Sequence, residues 1–163
     1  MVGFTLRSAV AADGRFLADM AVEAGNWRPN SHRPRTQLLA DPIYLGYVTG
    51  WQRPADRGII AVDEDGEPVG AAWYRLFNQD TPGQAYIATG VPELIVGVKP
   101  LWRAQGVGRA LIQALCRVAA AEGRARIALS VDRDNYALAL YRSEGFTTVH
   151  SAGSRDTMVK HLR

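Results

Sequence analysis

An arginine and two glycines precede a strongly helical segment, and residues of these types are suited to hold an anion. The stretch Arg103-Ala104-Gln105-Gly106-Val107-Gly108 follows an apolar run that stops at Lys99-Pro100. The first N–H groups of a helix lack intrahelical partners and carry the positive end of the helix dipole. Glycines let an anion approach that backbone closely, and arginine adds positive charge. A tight structural turn is the alternative interpretation. The stretch is not a dinucleotide-binding loop, because Leu111 stands where that motif needs its third glycine.

A second motif lies downstream of this turn. It reads N-Y-A-L-A-L-Y-R-S-E-G-F from Asn135 to Phe146. Asn135 is a favourable helix N-cap, and Gly145 is a favourable residue just after a helix end. These two residues predict a short helix over 136–144, with Tyr141 near its C-terminal end.

Together the two motifs resemble those of the GNAT superfamily of N-acetyltransferases. The turn is similar to that superfamily's Q/R-x-x-G-x-G/A pattern, and the downstream segment to its N-x-x-A-x-x-L-Y-x-x-x-G-F pattern with slightly variable spacing. The part of the chain that bears these motifs is about 92–146. The resemblance implies one acetyltransferase domain over 1–163, which moves an acetyl group from acetyl-CoA to a primary amine. A non-catalytic acyl-CoA-binding sensor or partner module is the alternative.

The resemblance also implies where acetyl-CoA lies. The pantetheine arm would occupy a gap between two strands and pair with the backbone of Val96 and Val98. The pyrophosphate would rest on N–H groups of 103–109. Asn135 would contact the pantetheine arm, and Tyr141 would face the thiol. The implied cofactor-binding residues are Val96, Gly97, Val98, Arg103, Ala104, Gln105, Gly106, Val107, Gly108, Arg109, Asn135 and Tyr141.

In families like this one, the amine attacks the thioester carbonyl directly and a tetrahedral oxyanion forms. A backbone N–H within 96–98 would stabilise that oxyanion. Tyr141 would protonate the departing thiolate, a transfer that is uphill by about 1.5 pKa units on reference values. Glu93, at the start of the central strand, is the expected base, but a one-residue change of register would turn it to the other face. Ser130 stands near where some relatives carry a glutamate, so a water chain is the alternative base.

The order of the elements, together with the resemblance, predicts the fold class. We expect an α/β (α+β) fold with a mixed, mostly antiparallel central sheet that is flanked by helices and splayed between its fourth and fifth strands. The predicted helices are 13–24, 36–40, 42–51 (an ambiguous segment), one that starts near Gly106, and 136–144. The predicted strands are 4–7, 58–62, 68–77, a strand-like stretch after a turn at 81–83, 93–98, 126–131, 146–150 and 156–162.

The acceptor site is the part that the sequence determines least. The resemblance implies that the helices after the first strand shape this site together with the last strands. Glu23 and Asp41 are candidates to attract a cationic amine. The aromatic candidates are Trp27, Tyr44, Tyr47, Trp51, Trp73 and Tyr74. These residues do not distinguish a peptide N-terminus from a polyamine, an aminoglycoside or a small metabolite.

Composition limits the other classes of protein. Cys116 is the only cysteine and the three histidines are widely spaced, so we expect no intrachain disulfide and no metal site. No apolar run approaches the roughly 18 residues of a membrane helix, and the N-terminus lacks a signal pattern, so we expect a cytoplasmic protein with no membrane partner. The net charge is +3, but the arginines are scattered, so we expect no nucleic-acid partner. A homodimer is left open.

Overall fold

A seven-stranded sheet forms the centre of the fold, and helices lie between its strands along the chain. A computed structural model describes residues 3–29, 31–81 and 83–162. The elements in chain order are β1 Thr5–Ser8, α1 Gly14–Gly25, α2 Arg35–Leu39, α3 Pro42–Gly46, β2 Arg57–Val62, β3 Pro68–Arg75, β4 Glu93–Val98, α4 Val107–Ala121, β5 Arg126–Asp132, α5 Ala137–Ser143, β6 Thr147–Ala152 and β7 Arg155–His161. Short 3₁₀ turns at Ala11–Asp13 and Pro100–Trp102 precede α1 and α4.

The sheet is split between two of its central strands. The strand order is β1-β2-β3-β4-β5-β7-β6, and β4 and β5 form the parallel pair in an otherwise antiparallel sheet. Within the described residues, these two strands pair only where Glu93 lies opposite Ala128. Beyond that point the strands diverge towards Val98. The predicted fold class is therefore confirmed, including the splay between the fourth and fifth strands.

Each face of the sheet has its own hydrophobic core. Apolar residues recur at steps of three and four along α4, so one side of this helix packs on the sheet, with Leu111, Leu115 and Cys116 buried. Leu17 and Met20 of α1 pack on the opposite face of the sheet. The helices that precede β2 thus lie on one face, and α4 and α5 lie on the other.

The helix α1 approaches β4 very closely at Gly97. A Cβ atom built on Gly97 would lie 2.1 Å from the carbonyl oxygen of Met20, a separation that real Cβ atoms do not show. Glycine at position 97 is therefore required by helix–strand packing. This contact fixes α1 over the part of β4 that borders the split.

A buried ion pair anchors the segment that follows α3. Arg75, at the end of β3, is fully buried and donates to the two carboxylate oxygens of Asp56 at 2.7 and 3.2 Å. The same guanidinium donates to the carbonyl oxygens of Gly46 and Thr49 at 3.0 and 2.7 Å. Because Tyr47 lies between those two carbonyls in the chain, its position depends on this anchor.

Two predicted elements differ from the structure. The helix expected over 42–51 ends at Gly46 and turns follow it. The strand-like stretch after the turn at 81–83 is wrong, because 83–92 forms turns. The backbone N–H of Ala85 donates to the Glu93 side chain at 2.8 Å, so it does not join a ladder. Pro82, within the predicted turn, lies outside the described residues. In the described ranges, no helix has the length and apolar character needed to cross a bilayer.

Candidate functional site

The split in the sheet opens into a groove of about 880 Å³. The strands β4 and β5 form its walls, the turn before α4 and the helix α5 border it on one face, and 23–29 and 43–47 border it on the other. The groove therefore reaches both faces of the sheet. Two faces of one opening can receive two substrates that must meet in the middle.

The turn before α4 has a sharply bent backbone that leaves the start of the helix open. The φ angles of Ala104 and Gly106 are +60° and +85°, in the left-handed region that is natural for glycine and strained for alanine. A Cβ atom on Gly106 would meet no other atom within 4 Å, and both Gly106 and Gly108 border the groove. The stretch is thus a tight turn, and it also exposes the first N–H groups of α4 towards the groove.

The two arginines of this turn are already ion-paired. Arg103 donates to Glu23 Oε1 at 3.1 Å and to the carbonyl oxygen of Val98 at 3.2 Å. Arg109 pairs with Glu144 at the end of α5. Both arginines border the groove, and a carboxylate partner holds each of them in place there.

Two other predicted cofactor residues direct their side chains away from the groove. Gln105 is exposed and donates to the carbonyl oxygen of Leu101 at 2.9 Å. Val107 is buried in the core beneath α4. Neither residue is among those that line the groove.

Backbone groups of β4 face the split at alternate residues. The N–H of Lys99 donates to the carbonyl oxygen of Val69, across the ladder from β3, at 2.9 Å. Because the direction of hydrogen bonding alternates along an antiparallel ladder, Val98 and Val96 turn their backbone groups towards β5. There the strands have diverged, so among the described residues no β4–β5 ladder pair forms at Val96 or Val98. The Val98 carbonyl oxygen instead accepts a hydrogen bond from Arg103.

The short helix α5 positions Asn135 and Tyr141 beside the groove. The Asn135 Oδ1 accepts from the N–H of Ala137 at 2.9 Å, as expected of a residue at a helix start. Gly145 has a φ of +93°, and the next N–H, of Phe146, returns to the Tyr141 carbonyl at 3.0 Å. Tyr141 is 8% exposed, and this burial raises the pKa of its hydroxyl.

Glu93 lies behind Tyr47, which separates it from the groove. The Tyr47 hydroxyl donates to one oxygen of the Glu93 carboxylate, and the N–H of Ala85 donates to the other at 2.8 Å. Glu93 is 1% exposed, and Tyr47 borders the groove. Burial raises the pKa of Glu93 although the Tyr47 hydrogen bond opposes the rise; burial, with the nearby Glu93, also raises the pKa of Tyr47 well above its ordinary value.

The aromatic candidates divide into groove and core. Trp27, Tyr44 and Tyr47 border the groove. Trp73 and Tyr74 are buried in the sheet cores, and the Trp73 indole N–H donates to the Tyr47 carbonyl at 2.9 Å. In contrast, the Trp51 indole N–H donates to the carbonyl oxygen of Val10 at 2.9 Å, away from the residues that line the groove.

Both carboxylates that were expected to attract an amine are already engaged. Glu23 pairs with Arg103 at 3.1 Å. Asp41 accepts from the N–H of Ile43 at the start of α3 at 3.0 Å, and it lies 3.9 Å from Arg33. A second carboxylate on the groove, Asp132, lies 3.7 Å from Arg28.

Arg155, which no sequence motif indicated, borders the groove at the start of β7. Its Nε donates to the Ser130 hydroxyl oxygen at 2.9 Å, so the serine holds the guanidinium in place. No local motif contains either residue. Their proximity follows from the β5–β7 register, in which Asp132 lies opposite Arg155 and Ser130 is two residues away on the same face.

The split sheet and its groove agree with the family that the two sequence motifs resemble. A model of the acetyltransferase (GNAT) family matches residues 21–146. The chain therefore belongs to the acetyltransferase (GNAT) family.

Relatives in sequence and structure agree with this family. The mycothiol acetyltransferase of Amycolatopsis mediterranei (strain U-32) is 39% identical over 148 residues, which cover 89% of this chain and 46% of that protein. That of Frankia alni (strain DSM 45986 / CECT 9034 / ACN14a) is 33% identical over 135 residues, covering 81% and 39%. The chain spans less than half the length of these relatives. The PaiA N-acetyltransferase of Thermoplasma acidophilum, solved in complex with coenzyme A, shares the fold with a TM-score of 0.71 at 18% identity, covering 98% and 99% of the two chains.

Proposed function

We propose that the chain is a single acetyltransferase domain over residues 1–163 that transfers an acetyl group from acetyl-CoA to a primary amine. One observation carries this proposal. The groove runs through the split sheet from the open helix start at Gly106 to the Tyr141 hydroxyl, within a chain of the acetyltransferase (GNAT) family. A phosphate site at one end and a buried proton donor at the other suit a long thioester substrate.

The residues present fit acetyl-CoA. Gly106 leaves space where a Cβ atom would otherwise stand, and the start of α4 offers N–H groups there to a pyrophosphate. Along the wall of the groove, Val96 and Val98 offer the backbone groups that a pantetheine amide would pair with. Asn135 lies beside that path. The full proposed set is Val96, Gly97, Val98, Arg103, Ala104, Gln105, Gly106, Val107, Gly108, Arg109, Asn135 and Tyr141; for Gly97 the structure gives a packing reason as well.

Tyr141 is the proposed acid for the departing thiolate. Tyr141 borders the groove, and no hydrogen bond of its hydroxyl is found among the described residues. Burial raises its pKa, which keeps the phenol protonated at neutral pH. The same dry surroundings disfavour a free thiolate, so burial raises the proton affinity of both donor and acceptor.

Glu93 is the proposed base, acting through Tyr47. The amine would lose its proton to the Tyr47 oxygen as the Tyr47 hydroxyl proton moves to the Glu93 carboxylate. Because its pKa is raised towards neutral pH, the Glu93 carboxylate is a stronger base than that of an exposed glutamate. The backbone N–H of Val96, which faces the split, is the proposed donor to the tetrahedral oxyanion.

Thermal unfolding with and without acetyl-CoA, followed by an assay of thiol release with a panel of amines, tests this function. A ligand at about 100 times its Kd adds roughly 2.7 kcal/mol to the free energy of unfolding. We expect a rise in Tm of several degrees, and thiol release with at least one amine. No shift at millimolar acetyl-CoA would rule out the proposed cosubstrate. A shift without turnover would favour the alternative, a non-catalytic acyl-CoA-binding module.

A further inference from the structure

Among the residues that the structure describes, one cationic side chain on the groove forms no ion pair. The groove is bordered by Arg28, Arg103, Arg109 and Arg155. The first three are paired with Asp132, Glu23 and Glu144 respectively. Within the part of the chain that the structure describes, Arg155 has no ion pair, and its one side-chain hydrogen bond runs from Nε to the Ser130 hydroxyl. Its two Nη groups are therefore free for a ligand.

The strand register places Arg155 on the acceptor side of the groove. Asp132 lies opposite Arg155, so these residues share a face of the sheet with Ser130 and Ala128, at alternate positions of β5. Ala128 is also the neighbour of Glu93 across the split. This is the face that carries α1 and Tyr47, opposite to the face that carries α4.

Arg155 also lies close to the groups that are proposed to move protons. Burial raises the pKa of Tyr47, Glu93 and Tyr141, and the positive charge of Arg155 opposes the rise at each of them. One guanidinium that influences all three residues would therefore lie near the amine in the proposed reaction.

Resting on the proposed acetyl transfer, we infer that Arg155 binds a carboxylate on the acceptor, so that the substrates are amines that also carry a carboxylate group. The two Nη groups can donate in parallel to both oxygens of a carboxylate, and the Nε bond to Ser130 fixes the plane of the guanidinium. Glu23 and Asp132, the carboxylates that line the groove, are already paired with other arginines, so among the described residues Arg155 forms no ion pair there and its Nη groups suit an anionic group of a ligand.

Matched amines test this substrate class. The full chain and acetyl-CoA would be assayed for thiol release with a series of amino acids, their carboxamides, and an aminoalkyl phosphate. We expect kcat/KM to be about tenfold or more higher for an amino acid than for its carboxamide, because a charge-assisted pair is lost in the amide. Equal rates for both, or a preference for the phosphate, would overturn the carboxylate assignment.

Variants of Arg155 test whether this residue causes the preference for a carboxylate. Arg155→Gln is expected to lower the ratio of kcat/KM for an amino acid to kcat/KM for its carboxamide, mainly by raising the KM of the amino acid, and Arg155→Lys is expected to retain part of that ratio. Arg117→Gln, on the exposed side of α4, serves as the control and should keep the preference. If folded Arg155 variants lost kcat/KM equally for the amino acids and for the carboxamides, the inference would be contradicted.

Two failures remain distinguishable. If acetyl-CoA raises Tm and amines without a carboxylate are acetylated but amino acids are not, the inferred substrate class is wrong and the proposed acetyl transfer stands. If acetyl-CoA has no effect on Tm, the proposed function itself fails.

Discussion

The Tyr47 hydroxyl donates a hydrogen bond to the Glu93 carboxylate across 46 positions of the chain. Tyr47 faces the groove, and Glu93 is buried behind it with a second hydrogen bond from the N–H of Ala85. This arrangement connects a buried carboxylate to the acceptor side through a phenol. It gives the proposed base a position that no single strand or helix provides.

A pH profile tests this pair. Glu93 must be ionised to accept a proton, and burial raises its pKa, so kcat/KM should rise with pH through a midpoint above the ordinary glutamate value of about 4.3. We expect Glu93→Gln to abolish this rise of kcat/KM with pH and to lower kcat by roughly 10²- to 10⁴-fold. Tyr47→Phe should lower kcat in the same way with little change in acetyl-CoA binding. If kcat/KM of Glu93→Gln still rose with pH in the same way, the titration would belong to another group, such as the acceptor amine.

Tyr141→Phe removes the proposed acid and keeps the shape of the ring. We expect kcat to fall by about 10²-fold, while the Kd for acetyl-CoA changes little, because the ring still packs against Phe146. Thiol release and calorimetric binding provide the two measurements. Tyr136→Phe, which alters the exposed tyrosine at the same helix, is the matched comparison. Full activity in Tyr141→Phe would exclude it from the mechanism.

Gly106→Val tests the open start of α4. The left-handed φ of +85° costs a substituted residue about 1–2 kcal/mol, and the new side chain would enter the space that faces the groove. Acetyl-CoA binding should be lost or weakened by more than tenfold. Gly66→Val is the control, because Gly66 has a φ of +81° in the exposed turn between β2 and β3 and lies away from the groove. Both variants should lose similar stability; if Gly106→Val bound normally, the stretch would act as a turn alone.

Asp56→Ala tests the anchor beneath the Tyr47 segment. Arg75 and Asp56 are 0% and 1% exposed at their side chains, so removal of the carboxylate leaves an uncompensated buried charge. We expect a loss of about 3–5 kcal/mol in the free energy of unfolding, measured with urea. The double variant Arg75→Met with Asp56→Ala should recover part of that loss. A near-neutral effect of Asp56→Ala would mean that water or a moved side chain replaces the carboxylate.

The sequence predicted the elements that depend on local signals. The spacing of Gly106 and Gly108 located the start of α4, and Asn135 and Gly145 bounded α5, because caps and left-handed glycines act within a few residues. The strand-like stretch after residue 83 failed for a non-local reason. Its Ala85 N–H bonds to a side chain eight residues away, which propensity does not register.

Sequence patterns did not predict which side chains contact each other across the sheet. Trp73 carries the same aromatic signal as Tyr47, yet Trp73 is fully buried in the core and Tyr47 borders the groove. Arg155 gave no signal, since its relation to Ser130 depends on the register between β5 and β7. The roles of the proposed site residues, the single domain, a cytoplasmic location, the lack of a nucleic-acid partner and the assembly state stay predictions.

Since the split sheet is open on both faces, the two halves of recognition are carried by different parts of the chain. The face towards α4 and α5 presents Gly106 and Tyr141, and the face towards α1–α3 presents Tyr47 and Arg155. Under the proposed acetyl transfer, a substitution on the second face would alter the choice of amine and leave the thioester side intact. The acceptor preference could then be redesigned, or could diverge, without rebuilding the part that holds the acyl donor.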